Sequence, residues 1–254
     1  MINGHTIVWS FRNRIDVLIE SIKSADENFP KEVNFCLVDA ASNDESIKKL
    51  RNFVNTMENR TVRVCESAFR TNLSEAWNLG MMLSNTRFVI FSSSDVVFKS
   101  PYLFPTMVDV QVKSKAKYLL VENHAVFMLD KKIVSAIGWF DEEFVPGPHF
   151  DCDYMIRSSE AGINPVIMGN ADYYEHGDTE EETHLRTTVG IEDRLPMNDY
   201  TNDQIFKNKW SSNWPGWEPF KGTSVRPHPP TNIRQVVRRK PEINPHPLFA
   251  KKYE

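Results

Sequence analysis

Glycine is scarce where many nucleotide-binding proteins need it. The chain has 10 glycines in 254 residues, and none lies in the segment SFRNRID, which includes the end of the first β-rich run at residues 6–11. A glycine-rich phosphate loop at this place is the usual mark of dinucleotide-dependent oxidoreductases and of many nucleotidyltransferases. Its absence counts against both classes.

Cysteines and long apolar runs are also few. The three cysteines, Cys36, Cys65 and Cys152, are odd in number and lack zinc-site spacing, which argues against a disulfide framework. No apolar run approaches the roughly 20 residues of a membrane span, and the first residues lack the pattern of a secretory signal. We therefore expect a cytoplasmic protein, in a reducing compartment, with no membrane span.

Charge is divided unevenly along the chain. Residues 221–254 contain eight Lys or Arg and two acidic residues, a net charge of +6, so the rest carries −10 of the formal total of −4. Six of the 15 prolines also follow Gly222, which excludes regular helix there. We expect a basic, Pro-rich C-terminal arm over 221–254. It is a solvated tail, a segment lying on its own acidic domain, or a segment that contacts an anionic partner such as nucleic acid.

The first half of the chain alternates β-rich and amphipathic segments, which predicts a mostly parallel, doubly wound sheet flanked by helices. The predicted strands are residues 6–11, 33–39, 61–65 and 87–91, and the predicted helices are 15–24, a segment from about 45, and 73–84. The pattern then changes to a strand pair at 116–121 and 125–129, a short helix at 131–137, a helix at 151–161 ended by Gly162, a strand at 165–168 and a last helix at 202–210.

Polar residues follow three of these strands, at 12–14, 39–44 and 92–95. Ligands of open parallel sheets bind beyond the carboxyl ends of the strands, so the three clusters predict one site at one edge. Asp95 follows the apolar run RFVIF and the turn SSS. A carboxylate in apolar surroundings needs a partner, which predicts a divalent cation. The alternative is a turn aspartate that caps the next segment.

The order of six short segments resembles the GT-A-fold glycosyltransferases, a Rossmann-like class, and in particular the broad family 2 of inverting enzymes. The segments are TIVWSFRNR, LVDAASNDES, FRTNLSEAWNLG, FVIFSSSDVVF, GWFDEEF and FDCDYMIRSSEAG, within residues 5–210. A late element, IFKNKW, resembles bacterial rhamnosyltransferase-like members. The resemblance implies transfer of a sugar from a nucleotide-sugar donor to an acceptor hydroxyl, with Mn²⁺ or Mg²⁺. It also implies one domain over 1–220, with a nucleotide-binding half at 1–98 and an acceptor half at 99–220.

The resemblance also assigns residues to the donor and the metal. The donor-binding candidates are Ser10, Arg12, Asn13, Asp39, Ser42, Asp44, Arg70, Asn78 and Ser94. Asp39 matches the residue that binds the base or ribose, and Asn78 a position that faces the donor or supports its loop. The Asp-x-Asp metal motif of the family falls on Ser93-Ser94-Asp95, where only the last Asp is kept. His176 resembles a late histidine that binds metal or diphosphate.

Asp151 is implied to be the catalytic base, since it falls on the Glu-Asp motif of the family, with Phe150 in place of the Glu. A single base opposite a leaving diphosphate implies inversion at the anomeric carbon. Asp153 does not share a helix face with Asp151, and pairing with Arg157 is one expected role for it. His124 and His149 are predicted to be ordinary surface histidines.

Two other classes of function stay open at this point. One is a non-catalytic module that binds a nucleotide or sugar, and the other is a nucleotidyltransferase. The sequence does not specify the donor sugar, the nucleotide base, the oligomeric state or the acceptor. A glycan, a protein side chain and a hydroxylated base in viral DNA are all open as acceptors.

Overall fold

The computed structural model describes residues 2–67, 71–121, 123–144, 150–169, 171–176 and 205–206. The strands are β1 (Ile2–Phe11), β2 (Asn34–Asp39), β3 (Val62–Glu66), β4 (Thr86–Ser92), β5 (Val96–Phe98), β6 (Tyr118–Leu120), β7 (Val126–Asp130), β8 (Val166–Ile167) and β9 (Tyr174–His176). The helices are α1 (Ile15–Asn28), α2 (Asp44–Val54), α3 (Leu73–Leu83), α4 (Leu103–Ser114), α5 (Ile133–Ile137) and α6 (Phe150–Glu160), with a 3₁₀ turn at Ala171–Tyr173.

Seven strands form one sheet in the order β3-β2-β1-β4-β7-β6-β8. The first four are parallel to one another, whereas β7 runs antiparallel to both β4 and β6. The strands β5 and β9 form a separate antiparallel pair. The mostly parallel sheet with flanking helices confirms the predicted fold class.

The sheet separates two apolar cores. Ile7 and Trp9 of β1 belong to the core that includes α1, α2 and α4. Val8 lies between them in sequence and belongs to the core of α3, α5 and α6. This alternation follows from the period of two along a strand. On the second face a Cβ on Gly80 of α3 would lie 2.3 Å from Val8 Cγ1, so glycine permits the close approach of helix and sheet.

Several local predictions are confirmed. Asn43 caps α2 by accepting a hydrogen bond from the Ser46 amide at 2.8 Å, and Asn72 forms a capping box with Glu75 at the start of α3. The predicted strand pair around Asn123 is present as β6 and β7. Gly162 follows α6 with a φ of 71°, a left-handed conformation that glycine adopts at little cost.

Some elements differ from the expectations. No helix was predicted between residues 99 and 115, where α4 lies. No strand was predicted at β5 or β9 either. Pro105 lies in the first turn of α4, where the missing amide proton costs no helical hydrogen bond. Of the predicted helix at 202–210, only residues 205–206 lie within the described part of the chain, and they are helical.

Candidate functional site

The ends of β1, β2 and β4 meet at one edge of the sheet. In the register of the strands, Phe11 pairs with Asp39 and Trp9 pairs with Ser92. Because these strands are parallel neighbours, the turns that follow them emerge side by side. The polar residues 12–14, 39–44 and 92–95 are therefore brought to a common edge, as the sequence predicted.

Hydrogen bonds lock the turns after β1 and β2 to each other. The Asn13 amide donates to Ser42 Oγ at 2.7 Å, and Asn13 Oδ1 accepts from the Asn43 amide at 2.9 Å. Arg12 Nε donates to the Ala41 carbonyl at 3.3 Å. Asn13 and Ala41 have φ angles of 56° and 65°, which non-glycine residues adopt only when the surroundings hold them. The two turns form one braced unit.

Asp39 is the most buried carboxylate of this unit, with 1% of its surface exposed. Its Oδ1 accepts a hydrogen bond from the Ser42 amide at 2.9 Å. Burial raises the pKa of Asp39, hydrogen bonds from Ser42 oppose the shift, and the charge of Glu66 adds to it. Of the neighbouring candidates, Ser10 is partly exposed and Asp44, the first residue of α2, is exposed.

Asp95 and His176 form a close pair beyond the end of β4. Asp95 Oδ1 lies 3.2 Å from His176 Nε2, and the Asp95 side chain is 8% exposed. His176 is brought there because it pairs with Val96 across β5 and β9. Ser94, the neighbouring donor-binding candidate, is partly exposed in the same turn.

Helix α1 holds β5 in place behind this pair. Ser24 Oγ accepts a hydrogen bond from the Phe98 amide at 2.9 Å, and Asn28 Nδ2 donates to the Phe98 carbonyl at 3.0 Å. Phe98 is almost completely buried. Two side chains of α1 thus fix the position of β5. Asp95 directly precedes β5, so its position is fixed with that strand.

The Asp95–His176 pair supplies one oxygen and one nitrogen that suit a divalent cation. Within the described residues, no three His, Cys, Asp or Glu side chains lie close enough together to hold a metal ion. Mg²⁺ is commonly bound through only one or two carboxylates, with phosphates and water completing its shell. Among the described residues the pair thus offers two ligands, a number that suits a cation whose other ligands come from water or a bound molecule.

Asp151 lies in the first turn of α6, with its side chain 32% exposed. Its Oδ1 accepts a hydrogen bond from the Cys152 amide at 2.8 Å. Its Oδ2 lies 3.5 Å from Nδ1 of His124, whose other ring nitrogen is hydrogen-bonded to the Tyr118 hydroxyl. The prediction that His124 is a surface histidine is wrong, because its side chain is only 14% exposed.

Asp151 is connected to the strand-end turns through the start of β7. The Ser93 amide donates to the Ala125 carbonyl at 2.9 Å, and Ala125 follows His124 directly. The antiparallel direction of β7 brings its first residues to the edge where β4 ends. His124 therefore directly precedes a residue bonded to the turn that contains Asp95, and Asp151 is connected to that turn through His124.

Asp153 has a structural role, distinct from that of Asp151. It is fully buried, and its Oδ2 accepts a hydrogen bond from Arg157 Nε at 2.8 Å. Arg157 also donates to the Ile137 carbonyl at 2.6 Å. The expected ion pair is present within α6, and the hydrogen bond from Arg157 to Ile137 ties α6 to α5.

Asn78 is fully buried in α3. Its Nδ2 donates to the Phe140 carbonyl at 2.9 Å and to Glu142 Oε1 at 2.8 Å. Of the two roles that the resemblance implied, the structure shows support of a loop. Contact with the donor stays a prediction for Asn78.

Three of the predicted features lie outside the described residues: Arg70, His149 and the arm at 221–254. Among the helices that are described, none is long and apolar enough to cross a membrane.

The sequence pattern of the family described as Glycosyl transferase family 2 matches residues 6–216. No curated protein matches the chain significantly. Solved structures with a similar fold include a mannosyltransferase from Pyrobaculum calidifontis in complex with GDP-Man and Mn²⁺ (12% identity, TM-score 0.59) and residues 1–349 of S. aureus TarS (14%, 0.56). A third is GalNAc-T7 with UDP, GalNAc and Mn²⁺ (12%, 0.57).

These structures are longer than the region they share with this chain. The similarity covers 66% of this chain and 55% of the mannosyltransferase, 80% and 69% for the TarS fragment, and 65% and 42% for GalNAc-T7. At these identities the structural likeness establishes the fold, and the sequence match over residues 6–216 establishes the family. The chain has the GT-A fold and belongs to glycosyl transferase family 2.

Proposed function

We propose that this chain is an inverting glycosyltransferase that moves a sugar from a nucleotide-sugar donor to an acceptor hydroxyl. The observation that carries the proposal is the strand register, which puts the turns after β1, β2 and β4, with Asp39 and Asp95, at one edge of the sheet. The start of β7 reaches the same edge, and Asp151 contacts His124 there. The sugar nucleotides in the neighbouring structures, GDP-Man in the mannosyltransferase and UDP-GlcNAc in TarS, support it.

The nucleotide is proposed to bind against the braced turns after β1 and β2. The buried carboxylate of Asp39 would accept hydrogen bonds from the base or ribose, and Arg12, Asn13 and Ser42 would line the same place. Ser10, Asp44, Ser94 and Arg70 complete the proposed donor site. A site braced by its own hydrogen bonds loses little freedom on binding, which favours affinity.

Asp95 and His176 are proposed to hold Mn²⁺ or Mg²⁺ against the donor diphosphate. Such a cation supplies the positive charge that stabilises a leaving nucleoside diphosphate. The Mn²⁺ in the mannosyltransferase and GalNAc-T7 structures supports this assignment.

Asp151 is proposed to be the general base. The acceptor oxygen forms a bond to the anomeric carbon, the bond from that carbon to the diphosphate oxygen breaks, and the acceptor proton passes to the Asp151 carboxylate. One base and one leaving group on opposite sides of the sugar produce inversion.

The acceptor is proposed to be a glycan. A second candidate is a hydroxylated base in viral DNA, which the net charge of +6 over residues 221–254 favours. Phosphate contacts by Lys and Arg weaken steeply with salt. A protein truncated after Lys221 should then lose salt-dependent binding to duplex DNA and keep donor turnover, and full-length protein without such binding would exclude this acceptor. The division into 1–220 and 221–254 and the cytoplasmic location stay predictions.

The proposed function is tested by donor hydrolysis, in which water takes the place of the acceptor. A panel of nucleotide sugars that includes UDP-GlcNAc and GDP-mannose is incubated with Mn²⁺, with Asp151→Asn as the test variant. Asp109→Asn, a surface change on α4, is the control. Loss of a general base should lower the rate about 10²–10⁴-fold and leave binding of the nucleoside diphosphate intact.

Two results would contradict the proposal. A rate for Asp151→Asn within about tenfold of wild type is too high for loss of a base and would remove Asp151 from that role. Nucleotide binding without turnover of any donor would favour the non-catalytic module.

A further inference from the structure

We propose that His124 is a positioning residue, which holds the Asp151 carboxylate in the orientation that receives the acceptor proton, and that Tyr118 fixes His124 for this task. The proposal rests on the proposed function of Asp151. Its basis is a line of three side chains from β6, the β6–β7 turn and α6, in which His124 contacts Asp151 through one ring nitrogen and Tyr118 through the other.

The imidazole of His124 is held in place by aromatic packing. Its ring meets Phe127 edge-on with centroids 5.2 Å apart, and the Tyr118 ring lies 6.0 Å away. Tyr118 is itself completely buried and packs on Tyr154. This packing orients the imidazole so that Nδ1 faces Asp151.

The hydrogen bond from Tyr118 determines which nitrogen of His124 carries the proton. Burial raises the pKa of Tyr118 well above its ordinary value, and the Asp151 charge adds to the shift. The hydroxyl therefore keeps its proton, and in the proposed arrangement it donates a hydrogen bond to Nε2. A neutral imidazole that accepts at Nε2 has its proton on Nδ1, the nitrogen that faces Asp151 Oδ2 at 3.5 Å.

A neutral ring is also what the surroundings favour. Burial lowers the pKa of His124, and the nearby Asp151 carboxylate opposes the shift. Three other titratable groups also affect the pKa of Tyr118. They are Cys152, Tyr154 and Arg157. The neutral Nδ1–H form can donate to the carboxylate, and it lowers the basicity of Asp151 less than a charged imidazolium would.

The two carboxylate oxygens of Asp151 are then held from different sides. The Cys152 amide donates to Oδ1 at 2.8 Å, and His124 Nδ1 approaches Oδ2. A separation of 3.5 Å exceeds an ordinary N–H···O hydrogen bond, and catalytic contacts of this kind often shorten when substrate binds. Each oxygen keeps a second lone pair for the incoming proton. The arrangement follows the general rule that a base is oriented by a third group.

The first experiment reads the tautomer from the protein alone. Long-range ¹H–¹⁵N NMR of the histidine rings at pH 7.5 should show His124 neutral, with the proton on Nδ1. Tyr118→Phe removes the donor to Nε2 and should give a signal shifted toward the Nε2–H form. Tyr154→Phe is the matched control, because Tyr154 is a fully buried tyrosine of the same cluster whose hydroxyl donates to the Gly138 carbonyl instead. It should leave the His124 signal unchanged.

The second experiment measures hydrolysis across the nucleotide-sugar panel. Misplacement of a reacting group by about 1 Å costs up to about 10²-fold in rate. We expect kcat to fall about tenfold in Tyr118→Phe and further in His124→Ala, with KM for the donor unchanged. His124→Asn, whose amide nitrogen can occupy the place of Nδ1, should recover part of the loss. Tyr154→Phe should keep the wild-type kcat.

The outcomes separate the positioning role from the proposed function. A protonated His124, or one with its proton on Nε2 in wild type, would overturn the proposal whatever the enzyme catalyses. Equal kcat values for Tyr118→Phe and Tyr154→Phe would also overturn it, since the hydroxyl would then act only in packing. Wild-type protein that hydrolyses no donor, with the expected NMR signal, would instead contradict the proposed enzymatic function.

Discussion

The side chain of Asn78 pairs with both polar backbone groups of Phe140. Its Nδ2 donates to the Phe140 carbonyl at 2.9 Å, and its Oδ1 accepts from the Phe140 amide at 3.0 Å. Phe140 in turn stacks on Tyr154 of α6 with ring centroids 4.2 Å apart. One buried amide thus connects α3 to the loop between α5 and α6, behind the residue proposed as the base.

Replacing this amide by a carboxylate should destabilise the fold. In Asn78→Asp the two donors of Nδ2 become an acceptor that faces the Phe140 carbonyl and Glu142. Unsatisfied buried groups cost about 1–3 kcal/mol each, and more when charged. We expect a clear fall in the free energy of unfolding, measured by urea denaturation. Asn34→Asp, at an exposed Asn–Asn contact, is the control. An unchanged stability would mean that the Phe140 contacts are dispensable.

The stability contributed by Glu142 should depend on pH. Burial raises its pKa above the ordinary 4.5, the Asn78 hydrogen bond opposes this, and Glu75 and Asp141 add to it. A raised folded pKa means that ionisation costs folding free energy above that pKa, and that the cost disappears as pH falls through it. Glu142→Gln should therefore raise Tm at pH 7.5, with a difference from wild type that shrinks toward pH 4. A constant difference would exclude ionisation as the cause.

Metal should strengthen nucleotide binding through Asp95. Calorimetric titration of UDP and GDP, with and without Mn²⁺, should show at least about tenfold tighter binding with metal, which is about 1.4 kcal/mol. Asp95→Asn should abolish this gain, and His176→Ala should reduce it. Glu175→Gln is the matched control, since that neighbouring carboxylate pairs with Lys99 instead. If Mn²⁺ has no effect on wild type, the metal assignment fails.

Asp39 should bind the nucleotide without being needed for folding. A hydrogen bond to a charged group is worth about 1.5–3 kcal/mol, so Asp39→Asn should weaken UDP or GDP binding about 10–100-fold. Thermal denaturation should show a folded variant, because an asparagine oxygen can still accept from the Ser42 amide. Asp109→Asn, which removes an exposed carboxylate on α4 that pairs with Lys113, is the control. Wild-type affinity in a folded Asp39→Asn variant would remove Asp39 from the proposed site.

The order of the central elements was predictable because strands and helices of a parallel sheet have distinct apolar periods. Buried strands such as β2 read as continuous apolar runs, and Asn43 and Asn72 mark helix starts by their capping chemistry. The turns after β1, β2 and β4 were also predictable, since topology alone brings them together.

The rest depends on contacts between residues far apart in sequence. The short strands β5 and β9 have three residues each, too few for a periodic signal. The burial of His124 results from packing against Tyr118 and Phe127, which no local pattern reveals. The apolar residues Leu103 and Met107 of α4 have a helical spacing of four. The helix was nevertheless missed, because Pro101 and Pro105 interrupt the pattern at its start.

The pairing of β5 with β9 makes the Asp95–His176 contact sensitive to the exact length of the chain. Val96 lies opposite His176 and Phe98 opposite Tyr174. A slip of one residue reverses the face on which every side chain of a strand lies. A residue inserted between Tyr174 and His176 would therefore put either Glu175 or the inserted residue opposite Val96, in the place of His176. An insertion before Tyr174 could instead be absorbed in the preceding turn. Tolerance to insertions and deletions should therefore end abruptly at Tyr174.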